Sequence, residues 1–186
     1  MTVPPRGDDP PIPPAPPAGG PIAPARDTLV GEFLDALAAR APAPAAGACA
    51  AITAAAAAAL AAKAARFSAG ELGELAATAD RLRAEVVPLA DADGAAYGAV
   101  LAAARLPRDH PDRRERLAGA VAAATEIPLR IARIGAEVAT LAGRLEREGN
   151  PNLRGDAQAA ALLADGATQA AVALVHINRE LGNGAP

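Results

Sequence analysis

Apolar positions along this chain recur in steps of three and four, and no run alternates with a period of two. Leu29, Phe33 and Leu37, with Val30 and Leu34 beside them, mark one face of a first helix that Asp27 or Thr28 can cap. Pro42 and Pro44 end it. A second helix at about 47–66 is nearly all alanine, and small residues on every side predict a central helix enclosed by others. Ser68 and Glu71 have the S-x-x-E spacing of a capping box. The helix they open carries Leu72, Leu75, Ala79, Leu82, Val86 and Leu89 on one stripe, and Pro88 kinks or ends it. A short helix near 91–105 bears Tyr97, Val100 and Leu101, and Leu106-Pro107 stops it. Asp109-His110-Pro111 then turns the chain into the next helix.

Beyond Pro128 the same rhythm aligns Ile131, Ile134, Val138, Leu141 and Leu145. Gly149-Asn150-Pro151-Asn152 breaks the chain. Asp156 is placed to cap a last helix whose stripe reads Leu163, Ala167, Ala170, Leu174, Ile177 and Leu181. The pattern as a whole predicts an all-α multihelical bundle over residues 27–182.

Residues 1–26 do not share it. Pro4-Pro5, Pro10-Pro11, Pro13-Pro14 and Pro16-Pro17 exclude helix and offer no apolar face, so a disordered, partly polyproline-II tail is expected there.

Composition sharpens the picture of the core. Of the 186 residues, 52% are hydrophobic but only 2% aromatic, so alanine and leucine supply the apolar content. Alanine buries little area, at about 25 cal/mol per Å², yet lets helix axes approach closely. A core this thin favours burial against a second chain, and a homodimer or higher oligomer is expected. The net charge of −3 gives no basic field, so no nucleic-acid partner is expected. The single cysteine, Cys49, excludes an internal disulfide and fits the cytoplasm. No basic segment precedes an apolar run at the amino terminus, so no secretory leader is expected. The uncharged stretch from Ala41 to Ala62 is mostly alanine with two prolines, and no membrane span is expected of it.

Candidates for chemistry are few. No Gly-rich phosphate loop and no metal-ligand spacing occur, and no metal is expected. His110 reads as a solvated turn residue, and His176 as a helix residue held by packing and one hydrogen bond. Arg113, Arg114 and Arg116 read as a solvated face or an anion site. The carboxylates at helix starts, Asp91, Asp93 and Asp156, are either caps or groups facing a pocket.

The order of these motifs resembles the cyclodeaminase/cyclohydrolase family of folate one-carbon enzymes. Phe33-Leu34-Asp35-Ala36-Leu37-Ala38 followed by Ala43-Pro44 is similar to the family's opening helix and its Pro-Gly-Gly-Gly-Ser loop. Asp91-Ala92-Asp93, Ala96-Tyr97 and Arg105-Leu106-Pro107 resemble its D-x-D-x-x-A-[FY] and R-L-P segments. Ile127-Pro128-Leu129, Gly149-Asn150, Asp156 and Val175-His176-Ile177-Asn178 resemble its V-P-L, G-N, S-D and N-V-x-I-N elements. The resemblance covers about 28–181 and implies a helical dimer that binds a tetrahydrofolate derivative. It implies Asp93 and Asp156 as catalytic groups moving protons on and off nitrogen, with Gly47, Asp91, Tyr97, Asn150 and Asn178 binding substrate. Ala45-Ala46-Gly47-Ala48 departs from Gly-Gly-Gly-Ser, Gly155 replaces a serine, and Leu174 replaces an asparagine. These losses leave open a non-catalytic descendant that keeps folate or protein binding.

Overall fold

The computed structural model describes residues 29–184; the tail expected at 1–26 and the caps Asp27 and Thr28 lie outside the described residues. The described residues form α1 (Val30–Ala38), α2 (Ala46–Arg66), α3 (Glu71–Val86), α4 (Leu89–Ala104), α5 (Arg113–Glu148) and α6 (Arg154–Gly184), with a 3-10 turn at Pro151–Leu153. No strand occurs among them.

Helix α2 is the axis of the bundle, packed against α3, α4, α5 and α6. Twelve of its residues are buried, eleven of them alanine. Without large side chains to hold them off, neighbouring helices close directly onto its backbone. From α5, Ile131, Ile134, Val138, Leu141 and Leu145 supply the larger volume, all of them buried as their spacing predicts. Leu82 and Val86 of α3 do the same from the other side.

Helix α6 differs from the expected arrangement. Its buried stripe is Ala157, Ala160, Ala164, Ala167, Ala171 and Val175, whereas Leu163, Ile177 and Leu181 are exposed. A small-residue stripe against the alanine surface of α2 permits closer approach than leucines would, and this outweighs the larger area a leucine stripe could bury. Gly135 of α5 sits equally close to α6, and a Cβ there would overlap the Thr168 hydroxyl.

Two local expectations are corrected. Ser68 does not cap α3: its Oγ donates to the Ala64 carbonyl and accepts from the Asn150 N–H, at 3.0 and 3.1 Å. The cap position falls instead on Gly70, at a φ of 57° that favours glycine. Asp156 lies in the first turn of α6 without capping it, because the chain enters that helix through the 3-10 turn. Helix α5 runs for 36 residues with Pro128 inside it.

Helix α1 stays at the surface: none of its residues is buried, although Phe33 packs partly on the core. Segments Ala46–Arg66, Glu71–Ala104 and Pro151–Gly182 are long and apolar enough to cross a membrane by length and composition. In α2, 61% of that window is buried within the fold, against 22% and 28% in the other two. The α2 window is therefore covered by its neighbours to a greater extent than the other two.

Candidate functional site

A cleft of about 270 Å³ opens where the start of α2 meets α4, α5 and the carboxyl-terminal part of α6. Its walls are mostly apolar, with Val100, Val121, Leu174 and Ile177 among them. Its polar lining groups are Asp93, Tyr97 and Asn178.

Asp93 is placed by two features. Helix α4 begins at Leu89, two residues before the expected start, which puts Asp93 one turn inside the helix rather than at its cap. Its carboxylate then lies against Gly47, where a Cβ would overlap the carboxyl carbon and both oxygens. Glycine is required by this contact, not by backbone angle. The N-cap of α2 is Ala45, which has no side chain able to accept a hydrogen bond. Asp93 supplies that function from another helix, accepting from the Ala48 N–H. Burial nevertheless pushes the Asp93 carboxyl above the ordinary aspartate range, and the Ala48 hydrogen bond offsets this only in part. A carboxyl group that keeps its proton to higher pH, facing an apolar cleft, can both give and take a proton.

Asn178 is held from the opposite wall. Its Nδ2 donates to the Ala124 carbonyl at 3.2 Å. Tyr97 stands at the rim, 43% exposed. The cleft thus brings together Gly47, Asp93, Tyr97 and Asn178. Asp91, in the first turn of α4, is exposed and does not line it.

Asp156 and Asn150 lie elsewhere in the chain. The Asp156 carboxylate pairs with Lys63, the only lysine, at 2.6 Å. Lys63 is sixteen positions after Gly47 on α2, or about 24 Å along the axis at 1.5 Å per residue. Within one chain, therefore, Asp93 and Asp156 do not meet. Asn150 ties the end of α2 to the start of α6: its Nδ2 donates to the Phe67 carbonyl at 2.8 Å, and its Oδ1 accepts from the Asn152 N–H at 3.0 Å.

Other charged groups serve the fold. Arg113 donates to the Leu106 and Ala104 carbonyls at the end of α4, and Arg116 pairs with Asp112. His110 accepts from the Asp112 N–H within its turn. No cluster of three potential metal ligands occurs among the described residues. The sequence reading missed the apolar walls Val100, Val121 and Ile177 as site residues. The helical spacing of Val100 and Ile177 marks only an apolar face, and Val121 belongs to no stripe read from the sequence.

Two of the family departures fall on this cleft: the Ala45-Ala46 pair and Leu174 both line it. In structure the chain is similar to a formiminotetrahydrofolate cyclodeaminase from Thermotoga maritima. The TM-score is 0.76 at 26% sequence identity, over 83% of this chain and 80% of that one. No curated protein matches it. Residues 29–182 match the formiminotransferase-cyclodeaminase family, which takes in nearly all of the bundle, and the chain belongs to that family.

Proposed function

We propose that this protein acts on a tetrahydrofolate derivative in the cleft beside Asp93, as a cyclohydrolase or cyclodeaminase. The observation that carries the reading is the Asp93 carboxyl, half-buried on the first turn of α2, with its proton affinity raised, at the mouth of an apolar cavity. About 270 Å³ is just below the range of typical ligand sites, roughly 300–1,000 Å³. It suits the bicyclic head of a reduced folate, with the rest of the molecule extending outside.

Both reactions pass through a tetrahedral carbon held between two nitrogens. In the hydrolytic direction water adds to the methenyl carbon, one C–N bond breaks, and the departing nitrogen takes up a proton. In the deaminating direction a ring-forming nitrogen attacks the formimino carbon, and ammonia leaves once its nitrogen is protonated. Asp93 is the group able to take the first proton and deliver the second. Tyr97 and Asn178 hold polar edges of the ligand at either wall. Asp156 enters this chemistry only where a second chain brings it to the cleft.

Such a second chain fits the exposed apolar residues of α1 and α6, among them Leu34, Leu162, Ile177 and Leu181. The reading carries with it a cytoplasmic location. To test it, purified protein is mixed with methenyl-tetrahydrofolate and its near-ultraviolet absorbance followed. Decay faster than buffer supports the proposal; decay at the buffer rate with no calorimetric folate binding rejects it.

A second reading, a folate-binding protein without turnover, draws on Ala45, Ala46 and Leu174 lining the same cleft. Folate binding without catalysis, with turnover appearing once Gly-Gly-Gly-Ser is restored at 45–48, distinguishes it.

A further inference from the structure

Pro128 lies buried in the middle of α5 and has no N–H. The carbonyl four residues before it, that of Ala124, therefore lacks its ordinary intrahelical donor. The group that donates to that carbonyl comes from another helix: Asn178 Nδ2, at 3.2 Å. Ala124 and Asn178 both line the cleft. A carbonyl can only accept, so it determines which end of the Asn178 amide turns toward α5. The amide's carbonyl oxygen and second N–H are left for whatever occupies the cavity.

We infer that Pro128 is a positioning residue for the site: by withholding an N–H from Ala124 it orients the Asn178 amide, so that the cleft offers an acceptor beside a donor. That pair matches the amide-like edge of a flat heterocycle, one ring N–H next to one acceptor. The ligand part of this inference rests on the folate reading above; the orientation part does not.

The test uses Pro128→Ala, Asn178→Ala and the double variant. Pro128→Ala supplies Ala124 with a backbone N–H, which competes directly with Asn178. In the ligand-free protein the Asn178 side-chain amide signals, assigned by their loss in Asn178→Ala, should shift and exchange faster in Pro128→Ala. Helix content should be kept and Tm unchanged or raised, because an interior helical proline has been removed. With tetrahydrofolate as the calorimetric probe, Asn178→Ala should weaken binding about tenfold and Pro128→Ala about threefold to tenfold. The double variant should be no weaker than Asn178→Ala alone. In turnover the loss should appear in KM, with kcat nearly unchanged.

Asn178 amide signals unmoved by Pro128→Ala, or binding losses that simply add, overturn the inference. Failure of the native protein to bind tetrahydrofolate removes the folate reading alone. The amide signals, read without ligand, then still decide whether Pro128 orients Asn178.

Discussion

The two ends of α2 each hold an aspartate from another helix, and the two carboxylates are opposites. At the amino-terminal end Asp93 lies on Gly47 and Ala48 and faces an apolar cleft, and burial raises its proton affinity. At the carboxyl-terminal end Asp156 meets the Lys63 ammonium, itself 54% exposed, and the neighbouring Asn150 and Ser68 are occupied in joining helix ends. Both arise from a short acidic motif at the start of a helix. What separates them is the surface each helix start is packed against. An uncapped helix amino terminus with a glycine admits a carboxylate and dries it, while a terminus carrying a lysine neutralises one in contact with water.

Breaking the first end should cost the most. Asp93→Asn keeps the shape but cannot exchange a proton, and turnover should fall about 100-fold to 10,000-fold. Gly47→Ala should lower turnover about 100-fold, because its methyl group displaces the carboxylate from Ala48. Its effect on unfolding should be about 1 kcal/mol, since a short side chain can swing away. Steady-state kinetics beside urea denaturation separates these two effects.

At the other end the losses should fall on stability. Asn150→Ala removes two side-chain hydrogen bonds and should lower unfolding free energy by about 2 kcal/mol, with turnover per folded molecule unchanged. Asp156→Asn should cost less than about 1 kcal/mol, as expected for a partly exposed ion pair, and leave turnover within about threefold. A loss as large as that of Asp93→Asn would instead place Asp156 in a cleft completed by a second chain.

The smallest effect is in the pH dependence. A carboxyl whose native proton affinity exceeds its unfolded value favours the native state most when protonated. Its contribution is complete below the ordinary aspartate range and disappears as pH rises through the raised native pKa. The native protein should therefore lose stability relative to Asp93→Asn over that window. Thermal unfolding of the two across pH measures the difference; parallel curves would show that Asp93 is not desolvated.

Much of this architecture is legible in the residues themselves. The alanine run of α2 could only be stable inside a bundle, and Ile131, Ile134, Val138, Leu141 and Leu145 announce the face of α5 that covers it. Motifs along the chain point to Asp93, Tyr97 and Asn178, and the fold gathers the three in one cleft. Ser68 has the spacing to Glu71 of a capping box, yet the turn between them puts the cap at Gly70. In α6 leucine and alanine faces both repeat at helical spacing, so spacing alone does not tell which is buried.

Periodicity and side-chain chemistry, both local properties, were enough to decide that this chain is helical and where its helices turn. Three matters were settled only when helices met: which face of α6 points inward, that Asp93 dries against Gly47 while Asp156 meets Lys63, and that Asn178 answers the carbonyl left open by Pro128. Each depends on distances between residues far apart in the chain, and on the burial those distances create, which no spacing along one segment encodes.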